Sequence, residues 1–115
     1  MTWGKLAIIN LYECEPETIR NKKQIKKYII QLCKCINMNK VGKTTIKRFG
    51  ENSLKGYSAM QFIKTSSITA HFDEQKNRAF IDIFSCKNFD EKKSEIFSKN
   101  FFKAQKSTSK IINRN

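Results

Sequence analysis

The feature that most limits the possible folds is an apolar stripe in the first third of the chain. Its residues recur at spacings of four, three and four, which is typical of one face of an α-helix: Ile25, Ile29, Leu32 and Ile36. The opposite face carries lysines: Lys22, Lys23, Lys26, Lys27 and Lys34. Asn21 followed by Gln24 fits a helix N-cap and its reciprocal partner. We interpret this segment as an amphipathic helix that covers a sheet.

The sheet is predicted from segments rich in β-branched and aromatic residues. These segments are 3–12, 41–49, 57–65, 67–72 and 78–86, with polar connections at 50–56 and 73–77. Apolar residues of segment 78–86 occupy both the even and the odd positions, which face opposite sides of a strand. Both faces are therefore expected to be covered, with Asp82 as the exception. A second amphipathic helix is predicted from a cap at Asp90 to about Ala104. Ile111 and Ile112 allow a short final strand.

This order of strands and helices predicts an α+β fold. An antiparallel sheet would be covered on one face by two α-helices, which makes a two-layer sandwich. The length of 115 residues predicts a single domain, 1–115. Because a small domain buries only part of its surface, a partner subunit would help to stabilise it.

The chain is strongly basic, with a net charge of +13 from 23 Lys and Arg against 10 Asp and Glu. Clustered basic residues would suit a phosphate backbone. Here the lysines are spread along the whole chain, which favours a solvated surface over a nucleic-acid interface. A non-catalytic, basic nucleic-acid-binding module stays as the outside alternative.

Neither a membrane segment nor a metal site is expected. No apolar run approaches the ~20 residues that span a bilayer, and no basic and apolar leader follows Met1, so a cytoplasmic location is expected. Reduced thiols are expected there for all four cysteines: Cys14, Cys33, Cys35 and Cys86. Cys33 and Cys35 stand too close for a zinc or redox pair, and His71 is the single histidine.

Two adjoining strand segments carry the reactive groups. Ser66 directly precedes the first, His71 lies in it and Cys86 ends the second. A short turn between the two segments is therefore expected to bring a hydroxyl, an imidazole and a thiol into one region. These groups supply a nucleophile, a base and a proton donor. In a regular strand Ser66 and His71 would face opposite sides, so either the strand begins after Ser66 or a bulge intervenes.

These residues and their spacing resemble the S-adenosylmethionine decarboxylase proenzymes of prokaryotes. The resemblance rests on the run 65–72, on the Ile-Asp-Ile-Phe-Ser-Cys strand at 81–86, and on the offsets of Ser66 to His71 and Cys86. It extends to the Leu-Tyr-Glu-Cys run at 11–14 and to Arg48-Phe49. It therefore covers nearly the whole chain, at the length of the short form of the family.

The resemblance implies a zymogen that cleaves itself. The Ser66 hydroxyl would attack the carbonyl of Thr65, and elimination of the resulting ester, with His71 as the base, would break the chain between Thr65 and Ser66. The products would be a β chain, 1–65, and an α chain, 66–115. The α chain would begin with a pyruvoyl group generated from Ser66, which is the cofactor implied, without a metal.

The implied reaction is the decarboxylation of S-adenosylmethionine for polyamine (spermidine) synthesis. The pyruvoyl ketone would form a Schiff base with the substrate amine, and Cys86 would return a proton to the substrate carbon. Ser58 corresponds to a serine that assists processing through His71, and Phe49 to an aromatic residue that stacks on adenine. The resemblance also implies a homodimer with active sites shared between protomers.

Three departures from the family pattern bear on rate and substrate. Thr65 stands where glutamate is common before the cleaved bond, and Ala59 replaces a glycine-containing segment after Ser58. The acid that grips the ribose would fall at Gln75, with Glu74 one place away. If neither Glu74 nor Gln75 binds ribose, the same pyruvoyl chemistry on ornithine or arginine is the alternative.

Overall fold

The computed structural model describes residues 2–115. Its helices and strands, in chain order, are β1 (Gly4–Tyr12), α1 (Pro16–Ile19), α2 (Lys22–Cys35), β2 (Lys40–Phe49), β3 (Gly56–Ile63), β4 (Ser66–Asp73), β5 (Arg78–Ser85), α3 (Glu91–Phe101) and β6 (Lys106–Arg114). A 3-10 turn, Asn52–Leu54, lies between β2 and β3. None of the helices in the described range is long and apolar enough to cross a membrane.

The strands form one antiparallel sheet in the order β2-β3-β4-β5-β1-β6. Helices α2 and α3 pack together on one face of it. Tyr28 of α2 stacks on Phe97 of α3 with ring centroids 5.9 Å apart, and the Tyr28 hydroxyl bonds to Ser98 Oγ at 2.6 Å. Phe102, directly after α3, packs on Phe72 of β4. The predicted α+β sandwich, with two helices on one sheet face, is confirmed.

Helix α2 follows from the stripe described above. Ile25, Ile29 and Leu32 are fully buried, whereas the five lysines of the other face are exposed. The Asn21 side chain accepts a hydrogen bond from the Gln24 backbone N–H at 3.2 Å, which confirms the predicted N-cap. Burial of this apolar face stabilises the helix more than its intrinsic propensity does.

Strand β5 differs from its prediction because only one of its faces is fully covered. Its alternate residues enter the core under the helices: Ala79, Ile81, Ile83 and Ser85. Phe80 and Phe84 are half-buried on the opposite face. There the Arg78 guanidinium lies 5.2 Å from the Phe80 ring and that of Arg114 lies 5.0 Å from the Phe84 ring. Arg78 over Phe80, and Arg114 together with the stacked ring of Trp3 at Phe84, therefore cover these rings in place of a second layer within the described chain. We call this side of the sheet the open face.

Two elements exceed their predictions. Strand β6 spans nine residues and pairs with β1 from Gly4 opposite Arg114 to Tyr12 opposite Lys106. Its polar first half has no apolar alternation, so backbone pairing with β1 sets its conformation. The short helix α1, for which no helix was predicted, begins at Pro16, where proline needs no N–H partner.

Candidate active site

The Thr65–Ser66 peptide lies at a tight turn between β3 and β4. Lys64 and Thr65 form the turn, and Thr65 has a φ of 61°, a left-handed conformation that a β-branched residue rarely adopts. Its carbonyl oxygen accepts a hydrogen bond from the Cys86 backbone N–H at 3.3 Å. The predicted cleavage point is therefore an exposed, strained turn whose carbonyl is held by a neighbouring strand end.

The Ser66 hydroxyl is directed toward β5. Ser66 pairs with Ser85 in the β4–β5 ladder, and Ser66 Oγ donates to Ser85 Oγ at 2.6 Å. Cys86 follows directly and is exposed beside a pocket of about 400 Å³ that Lys5 and Glu91 also line. Ser66 and Cys86 are thus brought to the same end of the sheet. We call Thr65, Ser66, Ser85 and Cys86 the cleavage half-site.

Ser58 and His71 form a second group. They lie opposite each other in the β3–β4 ladder, and Ser58 Oγ is 2.8 Å from His71 Nδ1. His71 is exposed. The hydrogen bond fixes the orientation of the imidazole ring and leaves Nε2 available. We call Ser58 and His71 the histidine half-site.

The two half-sites of one chain do not meet. Pairing on both sides of β4 runs in register from Ser66 to His71, so within residues 66–73 there is neither a late strand start nor a bulge. Ser66 shares its face with buried Ile68 and Ala70, whereas His71 points from the open face. Five residues of strand also separate them by about 17 Å. The expectation that one chain gathers hydroxyl, imidazole and thiol in one region was wrong.

Phe49 is on the same side of the sheet as the histidine half-site. It ends β2, and Lys47, two residues earlier, pairs with Ser58. Because alternate residues of a strand share a face, Phe49 projects from the open face with Ser58 and His71. Its ring is 56% exposed, which leaves it available for stacking.

Glu74 and Gln75, the two candidates for ribose binding, have different environments. Glu74 is buried, and its carboxylate accepts from Arg48 Nε at 3.0 Å and from Arg48 Nη2 at 2.6 Å. These hydrogen bonds from the guanidinium raise the pKa of Arg48. Arg20 also donates to the Glu74 carbonyl at 2.8 Å. Glu74 therefore ties the β4–β5 turn to β2, whereas the side chain of Gln75 is exposed.

Cys86 differs from the other cysteines, all of which are free thiols. Burial raises the pKa of Cys14 to about 11 and raises that of Cys33 as well. Thiols of this kind are poor proton donors and nucleophiles at neutral pH. Cys35 is half-buried, so Cys86 is the exposed thiol of the chain.

Ser85 is the residue of the cleavage half-site that sequence reasoning missed. The alternation of β5 places it on the core side with Ile81 and Ile83, and it is 1% exposed. A polar residue at a core position next to a candidate catalytic cysteine was the available signal. Its partner became visible only with the register of β4 and β5.

The fold and the two half-sites define a class: a two-layer α+β protein with a serine at a tight hairpin turn. A family model for S-adenosylmethionine decarboxylase matches residues 5–115, and the chain belongs to that family. The structure is similar to the crystal structure of the adenosylmethionine decarboxylase from Aquifex aeolicus VF5, with a TM-score of 0.83 and 16% sequence identity. The match covers 99% of this chain and 92% of that chain, and it shows a common fold.

Proposed function

We propose that this protein is a self-processing, pyruvoyl-dependent decarboxylase of S-adenosylmethionine whose product serves polyamine synthesis. The observation that carries the proposal is the Thr65–Ser66 peptide. Its carbonyl is held by the Cys86 N–H, and its serine hydroxyl is hydrogen-bonded to Ser85. Membership of the family supports the choice of substrate.

Cleavage begins with an acyl shift at this peptide. Ser66 Oγ bonds to the carbonyl carbon of Thr65, the bond from that carbon to the Ser66 nitrogen breaks, and the hydroxyl proton moves to the nitrogen. Negative charge develops on the Thr65 oxygen during the attack. The Cys86 N–H already donates to that oxygen and stabilises the charge, a contribution typically worth about 10²-fold or more in rate.

Elimination of the ester then separates the two chains. A base removes the α-proton of Ser66, and the bond from Oγ to the β-carbon breaks, so that Thr65 leaves as a free carboxylate at the end of residues 1–65. His71, oriented by Ser58, is the base in this proposal. Water then replaces the nitrogen of residue 66, ammonia leaves, and residues 66–115 begin with a pyruvoyl group.

The base must come from a second copy of the chain. Ser66 and His71 of one chain lie on opposite faces and about 17 Å apart along β4. We therefore propose a homodimer in which the cleavage half-site of one protomer meets the histidine half-site of its partner. The open face supports this assembly because it presents unusually exposed apolar side chains: Met60, Phe62 and Ile112.

The cleavage half-site suits a pyruvoyl group. Its members supply a serine, a backbone N–H that binds the carbonyl of Thr65, and an exposed thiol. When formed, the group supplies an electron-withdrawing carbonyl for the decarboxylation of a bound amino acid. Cys86 stands beside residue 66 as the proton donor to the substrate carbon. Phe49 provides the stacking surface for adenine, and Gln75 is the exposed candidate for the ribose hydroxyls.

The ion pair of Glu74 with Arg48 favours one alternative. Arg48 binds the carboxylate of Glu74, the acid nearest the ribose position, so this carboxylate is not free to bind the ribose hydroxyls. The same pyruvoyl chemistry on ornithine or arginine is therefore the second candidate. Release of labelled carbon dioxide from the processed protein separates the two. We expect release from S-adenosylmethionine and little from ornithine or arginine, and the reverse order would favour the alternative.

A further inference from the structure

Ser85 is a buried serine that forms and breaks no bond in the proposed reaction. It ends β5 directly opposite Ser66, is 1% exposed, and accepts the hydrogen bond of the Ser66 hydroxyl at 2.6 Å. The Ser85 hydroxyl therefore contacts the nucleophile before the reaction starts.

The position of the Ser85 oxygen is itself fixed. The backbone N–H of Lys87 donates to Ser85 Oγ at 2.9 Å. A hydroxyl oxygen has two lone pairs, and here one accepts from Ser66 and the other from Lys87. Because Ser85 is buried and held from the backbone, its oxygen is a rigid acceptor for the Ser66 hydroxyl.

We propose that Ser85 is a positioning residue for self-cleavage. Its hydroxyl holds Ser66 Oγ in one rotamer, while the N–H of the next residue, Cys86, holds the carbonyl of Thr65. Two consecutive residues at the end of β5 thus restrain the nucleophile and the electrophile together. The inference rests on the proposed function. Ser85 takes no net proton, and the bonds that form and break are those of the acyl shift given above.

The expected effect follows from the freedom of a serine side chain. Its χ1 has three staggered wells, and the bond to Ser85 selects one of them. Without that bond Ser66 Oγ populates the others, and a misplacement of ~1 Å can cost about 10²-fold in rate. We expect ester formation to slow by about tenfold to a hundredfold when the hydroxyl of residue 85 is removed.

Threonine and valine provide a matched pair, since they share a shape and differ by a hydroxyl. The full chain carrying Ser85→Thr or Ser85→Val is incubated, and the rate of appearance of residues 66–115 is followed by denaturing mass spectrometry. Ser85→Thr should cleave at close to the unsubstituted rate, and Ser85→Val should be slower by about tenfold or more. Thermal unfolding serves as the folding control, and Ser85→Ala replaces the valine variant if that variant does not fold.

Hydroxylamine, which cleaves esters, identifies the affected step. It should release fragments from His71→Ala, where the ester accumulates, and should not accelerate Ser85→Val, where the ester is slow to form. Equal rates for Ser85→Thr and Ser85→Val, or release from Ser85→Val matching that from His71→Ala, would overturn the role of Ser85. If the unsubstituted chain itself stays intact, the proposed function fails instead.

Discussion

Ser66 and His71 project from opposite faces of the same regular strand, five residues apart. Register on both sides of β4 leaves no room for the local irregularity that would bring them together. Each belongs to a hydrogen-bonded pair of its own, Ser66 with Ser85 and His71 with Ser58. In the function we propose, the self-cleaving serine and its base are therefore separate halves, which two copies of the chain complete.

Mixed protomers test this division directly. A chain with His71→Ala and a differently tagged chain with Ser66→Ala should each stay intact alone, because one lacks the base and the other the nucleophile. When the two are co-expressed, the His71→Ala chain should cleave, since its Ser66 meets the imidazole of its partner. Mass spectrometry with the two tags identifies which chain is cut. Cleavage of His71→Ala alone at the unsubstituted rate, or its absence from the mixed dimer, would contradict shared sites.

Replacement of Cys86 by alanine should separate processing from turnover. The backbone N–H that holds the Thr65 carbonyl remains in Cys86→Ala, so fragment formation should stay within about threefold of normal. Loss of the thiol removes the proton donor, so carbon dioxide release should fall by about 10²-fold or more. Cys35→Ala, at the half-buried end of α2, is the control. Equal loss of both activities in Cys86→Ala would rule out the assigned role.

Removal of the Phe49 ring should weaken substrate binding without weakening the fold. The side chain is 56% exposed, so Phe49→Ala should leave the unfolding midpoint nearly unchanged. Loss of a stacking surface worth about 1 kcal/mol should raise KM for S-adenosylmethionine by about fivefold. Phe49→Tyr, which keeps the ring, should restore the normal KM. An unchanged KM in Phe49→Ala would remove this residue from the site.

Glu95 should make the fold sensitive to acid. It is buried between α3 and β6, where Ser107 and Ser109 each donate to its carboxylate at 2.6 Å. Burial alone would raise its pKa, but these hydrogen bonds and Lys92 lower it below the usual 4.5. Its contribution to stability is therefore complete above about pH 4.5 and is lost as pH falls through the lowered pKa.

Glu95→Gln keeps the shape and removes the charge, so it isolates this effect. At about pH 7 the variant should lose about 1–3 kcal/mol of unfolding free energy, because the serine donors then meet a neutral acceptor. At about pH 3, below the ordinary pKa of glutamate, the difference between the two proteins should be smaller. Urea unfolding at both pH values measures the difference, and the same gap at both would show that the ionisation of Glu95 is not its cause.

Most of the fold could be predicted because its signals are local. The stripe of α2 and the caps Asn21 and Asp90 depend on neighbours within four residues, and both cap hydrogen bonds are present. Strand β6 was underestimated because its stability comes from pairing with β1, far away in sequence. The open face of β5 was misjudged because the side chains that cover Phe84, Trp3 and Arg114, come from segments far away in sequence.

The sequence supplied the candidate members of the site, which remain a prediction, and it left their geometry open. Spacing selected Ser66, His71 and Cys86. The five-residue separation of Ser66 and His71 already indicated that a regular strand would turn their side chains to opposite faces. Confirmation needed the register of three strands, which no single segment encodes. Ser66 and Ser85 are nineteen positions apart, and Arg48 and Glu74 are twenty-six positions apart. Only the folded chain brings these pairs together.

Denaturing mass spectrometry of the unsubstituted chain tests the central claim most directly. We predict two fragments, residues 1–65 and residues 66–115, with the second lighter by one ammonia than a fragment that begins with serine. Ser66→Ala should remain a single chain of 13.5 kDa under the same conditions. An unsubstituted chain that also stays at full mass throughout would contradict the account and favour a basic binding protein in which Ser66 never reacts.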